Sequence, residues 1–556
     1  PATTFAGSPA IFGDGTAGID GLLITGNVIE FANGGGIYLN TVSNVTIQGN
    51  RVGNEAFGAP NIIGAGIRII DGTSVAPVSG NTVSYATGSG IVVDGVGSGA
   101  VSVTGNVVNH VLGGIIVSQF DHAEVNQNSV ADTAAYGINV DNLDSAVVRD
   151  NRVDQTDFGG IFASTVADVT ISSNSVTNAS GNAIEAIGSG NATITGNAID
   201  TVTSGGGIEA SQYTAMIVSG NSIANVAARG ILLAGNDTGT VTVADNSIDT
   251  TGDVGVLVSR FVNATISGND LANVTGDGII LGGLSAGNAA NATISNNSVS
   301  VTTNSGDGIA VSGFANVSIT GNVLTSIAGD GIDATGLSLG ELTILDNDIA
   351  TVGDHGIVAV GFANATVSGN SIAQAGADGI DINGITGGLA TVSQNVIADT
   401  TLDGILVSGF ANVTASGNSV ADAGMNGIEL AGISAGEIVA LDNSIDGAAG
   451  GGILIEFFAN ANASGNTVND TGGTGIQLSG IAGGLATASG NTATDAGDDG
   501  INVASFATVI ASGNSVAGAF NDGIEVTGTN AGSLTMLDND VATVGGYGIL
   551  GVLFTN

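Results

Sequence analysis

Gly308 to Asp330 reads GIAVSGFANVSITGNVLTSIAGD, and the same order of parts returns until the chain stops. A Gly-Ile opening is followed by a short alternating run, a second alternating run ending in Gly-Asn, and a third run closing on a Gly/Asp turn. The Asn that ends the second run marks the period. It falls at 22 positions from Asn27 to Asn539, a mean spacing of about 24 residues, which is a solenoid period. From Asn322 the steps alternate between 25 and 23, so the unit there is 48 residues. One half of each unit carries a Phe, at Phe314, Phe362, Phe410, Phe458, Phe506 and Phe554, and the other half has none. Such nesting points to duplication of paired units and not to a chain built around one pocket.

Within each unit apolar residues recur every second position, as in Asn316 to Thr320 (NVSIT) and Asn364 to Ser368 (NATVS), which is the strand period. Gly, Asn and Asp punctuate the runs and accept the backbone conformations of tight corners. Three strands of four to six residues with three corners therefore fill each unit. A strand this short must pair with its equivalent in the next unit, and because every unit runs the same way round the pairs are parallel. The expected fold is all-β, a parallel β-helix of about 22 coils of 23–25 residues, with Ile, Val and Ala inward and Thr, Ser, Asp and Glu outward. At about 4.8 Å per coil it would be a rod about 105 Å long.

The repeat resembles that of the right-handed parallel β-helix, the pectin-lyase-like superfamily, over nearly the whole chain. The Asn ending the second run is similar to that family's internal asparagine ladder. The chemistry supports a ladder independently, because a corner amide needs a donor and an acceptor, and stacked amides supply both. Residues 1–20 read as a lead-in and 21–556 as one continuous β-helix that continues or stacks beyond 556. Two longer units predict side loops near 54–63 and 283–290. The start, without Met or a signal-peptide pattern, suggests a processed chain or a window of a longer one.

Composition narrows the partners. The net charge is −43, from 49 acidic and 6 basic residues, and all six basic ones are Arg. Phosphate backbones and anionic membranes need a cationic face, so nucleic acid and membrane insertion are not expected. With no Cys there is no disulfide framework and no thiolate chemistry.

Four groups of residues invite a chemical reading. First, the superfamily resemblance implies enzymes acting on uronate-rich glycans, lyases using a basic residue and hydrolases using clustered Asp. One neighbourhood offers such a mixture, Asp121 to Asp157, with His122, Arg149, Asp150 and Arg152 as the catalytic candidates. No catalytic motif of the family matches it residue by residue, and Arg paired with carboxylates on a solvated face explains it better. Second, Asp277, Asp307, Asp330, Asp378, Asp403, Asp499 and Asp522 each precede a Gly-Ile opening and stack along one corner. Calcium would relieve their repulsion, although Asp before Gly is also a good turn residue. Third, outward pairs such as Thr193 and Thr195 look like the arrays of ice-binding proteins, but Leu345, Leu441 and Leu537 interrupt them. Fourth, the Phe column either packs in its corner or forms an exposed stripe for lateral association.

Because everything repeats and nothing concentrates, the sequence reads as a structural protein, not an enzyme. It would be an extracellular or cell-surface adhesin shaft, or a subunit of a filament, sheath or surface layer, self-associating end to end or laterally. The alternatives are a polysaccharide-active β-helix enzyme (lyase, epimerase or hydrolase) and a passive glycan- or ice-binding rod, with extracellular glycans as partners.

Overall fold

A computed structural model describes residues 8–54, 60–283, 290–385, 387–433 and 436–554. They fall in two compact units, Pro1–Val274 and Thr275–Asn556. Both are built of parallel strands, and the whole is an all-β right-handed solenoid of about 22 turns, as the repeat predicts. No helix of the described residues is long and apolar enough to cross a membrane. The two predicted side loops centre on residues 55–59 and 284–289, outside the described residues.

One coil of the first unit shows the construction. Its strands are Ile184–Gly188, Asn191–Thr195 and Ala198–Val202. Each pairs in register with its equivalent in the next coil: Ile184 with Ile208, Ile194 with Val218, Ile199 with Ile223. The alternation puts Ile184, Ala186, Ile194 and Ile199 inside, all essentially without exposure. In some coils the first two strands fuse into one, as in Ile138–Arg149 and Ile161–Ser172 of the first unit and Ile332–Leu345 of the second.

The asparagine ladder forms as expected. In the first unit it runs from Asn27 to Asn269 and in the second from Asn297 to Asn539. At Asn197, Nδ2 donates to Asn221 Oδ1 at 2.9 Å and to the Ile171 carbonyl at 3.0 Å. The Asn197 backbone N–H reaches the same Asn221 oxygen at 3.0 Å. Each Oδ1 thus accepts twice and each amide donates to two coils, so a buried corner is fully paired. The residue before each ladder Asn has positive φ, whether Gly196 at 63° or Asp150 at 56°. That geometry is why the marker reads Gly-Asn, Asp-Asn, Gln-Asn, Ser-Asn or Asn-Asn and never Val-Asn.

Packing explains the 48-residue period. Phe314, Phe362, Phe410, Phe458 and Phe506 are buried in the corner between the first and second strands. The preceding coil offers each ring a glycine: a Cβ on Gly336 would lie 2.6 Å from the Phe362 ring, and one on Gly384 would lie 2.3 Å from Phe410. Large and small alternate because one coil spacing, about 4.8 Å, cannot hold a ring in every corner. These five rings form no exposed stripe.

Candidate functional site

The four catalytic candidates do not converge. His122 opens the strand His122–Asn126, with Nδ1 2.9 Å from Ser145 Oγ and Nε2 3.8 Å from Glu124. Arg149 is the register partner of Asn126 at the other end of that strand, about 13 Å away at the strand rise. It sits 3.9 Å from Asp150, and Arg152 sits 3.0 Å from Asp154. Asp150 is the left-handed turn residue before Asn151. None of the four candidates lines the groove described below, although Asp132, Tyr136, Gln155 and Asp157 of the same stretch do.

The aspartates of the second unit form a corner ladder of their own. Asp277 Oδ1 accepts the Asp307 N–H at 2.7 Å, Asp307 Oδ1 the Asp330 N–H at 2.8 Å, Asp378 Oδ1 the Asp403 N–H at 2.7 Å, and Asp499 Oδ1 the Asp522 N–H at 3.0 Å. Asp522 Oδ1 in turn accepts the Tyr547 N–H. One oxygen of each carboxylate is therefore committed to the next coil's backbone. Burial, with help from neighbouring acids, pushes Asp307 and Asp403 up to about 6. Where the column would place another Asp, between Asp330 and Asp378, the chain has His355. Its Nδ1 lies 3.2 Å from Asp330 and 3.3 Å from Asp354, and its Nε2 3.4 Å from Asp378. Hydrogen bonds to Asp330 and Asp378 raise it to about 10, so it is an imidazolium at neutral pH.

Three sets of side chains here have ligand atoms close enough for one cation: Asp330, Asp354 and His355; His355, Asp378 and Asp381; Asp499, Asp522 and Glu525. In the first two the imidazolium occupies the carboxylates a cation would need. The third offers oxygens only, the donor type calcium takes.

The first unit carries a different arrangement. A groove follows the corner between the third strand of one coil and the first strand of the next. One stretch, about 470 Å³, is lined by His110, Leu112, Asp132 and Asp157. A second, about 480 Å³, is lined by Tyr136, Asp157, Phe158, Asn182 and Glu185. A small third stretch holds Asn182, Glu209 and Arg229. Asp157 lines both the first and the second and Asn182 both the second and the third, so the three stretches adjoin across neighbouring coils.

Three rings line these stretches, Tyr136, Phe158 and His110, and Phe162 and Tyr85 are their stacking partners. Tyr136 stacks on Phe162 with centroids 4.7 Å apart and meets Phe158 edge-on at 4.9 Å, and Phe158 is 58% exposed. Farther along, Tyr85 stacks on His110 at 4.5 Å, and His110 Nε2 is 3.6 Å from Asp132. Tyr85, His110 and Asp132 each occupy the left-handed position of their third strands, at φ of 55°, 51° and 53°. This bulge repeats coil after coil and turns a column of side chains toward the corner.

Two glutamates stand on adjacent first strands, Glu185 in the stretch that holds Tyr136 and Phe158, and Glu209 in the small third stretch. Glu185 and Glu209 are register partners, and Phe162 is the partner of Glu185 on its other side. Burial, then the charge of Glu209, raises Glu185 above the ordinary glutamate value. Asn182 Nδ2 donates to Glu209 Oε2 at 2.7 Å and partly offsets the rise on Glu185. Arg229 Nε is 3.2 Å from Asp253. None of Tyr85, His110, Tyr136, Phe162, Glu185 or Glu209 stands out in the repeat. The available signal is an asymmetry: four of the five Tyr lie at or before Tyr213, and all six Arg at or before Arg260.

Comparison with known proteins agrees on the architecture. Among solved structures, the PL6 family alginate lyase AlyGC is 10% identical, with 96% of this chain and 97% of that one covered and a TM-score of 0.30. The catalytic unit of a thermostable GH87 alpha-1,3-glucanase from Streptomyces thermodiastaticus is 13% identical, with 78% and 64% covered and a TM-score of 0.21. Among curated proteins none matches the chain in sequence. Both structures are enzymes, and nothing found supports an adhesin shaft, filament, sheath or surface layer, so the expectation of a structural, non-enzymatic protein is corrected. The physical reason lies in the groove. Repetition governs inward and corner positions and leaves the outward positions of the groove free to vary. A family model described as "Right handed beta helix region" matches residues 9–168, 159–322, 282–436 and 336–485, most of the length, and the chain belongs to that family.

Proposed function

We propose that the chain is a polysaccharide-active β-helix enzyme that hydrolyses a glycosidic bond in the groove of its first unit. The observation that carries this reading is the pair Glu185 and Glu209 on adjacent strands beside the wall of Tyr136, Phe158 and Phe162. Sugar faces stack on aromatic rings, and a carboxyl whose pKa is raised by burial and a neighbouring like charge suits the role of general acid. Glu185 gives its proton to the glycosidic oxygen as the bond to the anomeric carbon breaks. Glu209 takes a proton from the attacking water, whose oxygen bonds that carbon, so one water adds across the bond and both carboxyls are reset by proton exchange.

Hydrolysis suits this groove better than elimination. A lyase needs a basic residue beside the abstracted proton, but the chain has no Lys, Arg229 stands 3.2 Å from Asp253, and His110 lines the other stretch of the groove and not the one that holds Glu185. The test is release of reducing ends from a panel of soluble polysaccharides, with Glu185→Gln and Glu209→Gln as controls. Each variant should lose at least about 100-fold in kcat, the lower range for a lost general acid or base. Activity retained by both variants, or no release from any glycan by the parent, refutes the proposal.

A further inference from the structure

We infer that the glycan is uncharged and lies along the stack of coils, spanning two stacking platforms: Tyr136–Phe158–Phe162 and Tyr85–His110. The inference rests on the proposed reading of the groove as a glycan site and adds substrate class and direction. Charge gives the class. The groove presents Asp132, Asp157, Glu185 and Glu209. Its arginine, Arg229, is paired with Asp253, and the His110 ring stands 3.6 Å from Asp132. The surrounding chain carries a net −43. A polyuronate brings one carboxylate per sugar into this field, where the groove's carboxylates outnumber its one arginine. A neutral sugar meets no such penalty, and its apolar face suits exposed rings while its hydroxyls suit carboxylate acceptors.

Continuity gives the direction. The two platforms are joined through Asp157, which lines both larger stretches of the groove. Tyr85 and Phe158 stand three coils apart, about 14 Å at the coil spacing. A ligand touching both must be an extended oligosaccharide running across successive coils, and a monosaccharide reaches one platform only.

The experiment is affinity electrophoresis of the full chain, the catalytic variant Glu185→Gln being used so that no substrate is consumed. The gels contain soluble neutral glucans or mannans, or the polyuronates alginate and polygalacturonate, at low and high salt. Retardation by a neutral glycan, nearly independent of salt, with none by polyuronates, is expected. Phe158→Ala and Tyr85→Ala should each weaken binding about 2- to 10-fold, the value of one ring contact. With a monosaccharide competitor, only one of the two variants should change the inhibition. Retardation by polyuronates in preference to neutral glycans overturns this inference and leaves the site standing. Retardation that neither ring variant alters overturns the placement in this groove, and no retardation by any glycan overturns the proposed function together with the inference.

Discussion

Replacing His355 with Asn removes the one positive charge in the acidic corner of the second unit while keeping a side chain that the ladder accepts, as it does at Asn426. The magnitude follows from linkage. The His355 value rises from 6.5 to about 10 on folding, so its stabilisation is complete below about pH 6.5 and is lost as pH climbs through about 10. The full shift sets an upper bound of roughly 5 kcal/mol. The side chain is 23% exposed at a solvated corner, so screening brings the expected figure to about 2 kcal/mol. The alkaline window is unusually clean, because the chain has no Lys and no Cys. Asp307 and Asp403, at about 6, ionise before it opens, and Tyr136 and Tyr213, both raised from 10.0, ionise after it closes. Urea unfolding followed by circular dichroism, at about pH 7 and about pH 9.5, should show the parent losing most of this stability while the variant, weaker at pH 7, changes little. Equal losses in the two proteins would refute the charge-neutralising role of His355.

Three further outcomes are expected. Asn197→Ala removes the bonds to Asn221 and Ile171 and strands the Asn174 amide and N–H, each 3.0 Å from the lost oxygen. It should cost about 3–5 kcal/mol in chemical denaturation, and a cost near zero would mean the ladder is not stabilising. In the Phe/Gly corner, Gly384→Ala and Phe410→Ala should each destabilise, the latter by about 3–5 kcal/mol, and the double variant should cost less than the sum because the added methyl enters the space the ring leaves. In the groove, a pH–rate profile should show activity falling as pH rises through the elevated Glu185 value, and Glu185→Gln should abolish that limb.

Much of this fold is legible from one repeat, because a β-helix coil places the same demand on the same position every time. Ile at the first inward site, Asn at the ladder and a residue tolerant of positive φ before it are each required by a local geometry that sequence shows directly. The Gly of Gly-Ile is required by space: a Cβ on Gly331 would lie 2.5 Å from the Gly356 carbonyl oxygen. The buried fate of the Phe column was less legible, since it depends on the glycine in the neighbouring coil and not on anything beside the Phe in sequence. The groove was not legible by position. Glu185 and Glu209 are 24 residues apart, and Tyr136 and Phe162 are 26 apart. They meet only when the register of successive coils is laid out, and the αL column that turns Tyr85 and His110 toward the corner has no consensus residue to announce it.

The same geometry explains how one scaffold holds both a repetitive core and a local site. Inward side chains must fit the coils above and below, so they vary little. An outward side chain needs only to avoid its neighbours at about 4.8 Å, and a column of them can be composed freely. In the first unit the outward column of the first strands pairs Phe12, Tyr38, Arg68, Val92, Ile116, Asn139, Phe162, Glu185 and Glu209 in succession. Phe12 stacks on Tyr38 at 5.7 Å, and the Arg68 guanidinium stands 5.8 Å over the Tyr38 ring. In the second unit the equivalent column holds Ala310, Asp333, Val358, Asp381, Leu406, Glu429, Leu454, Gln477, Asn502, Glu525 and Leu550, polar and aliphatic side chains with no ring. A ligand that needs stacking surfaces beside carboxylates therefore has a place on the first column and none on the second, although both columns rest on the same coil.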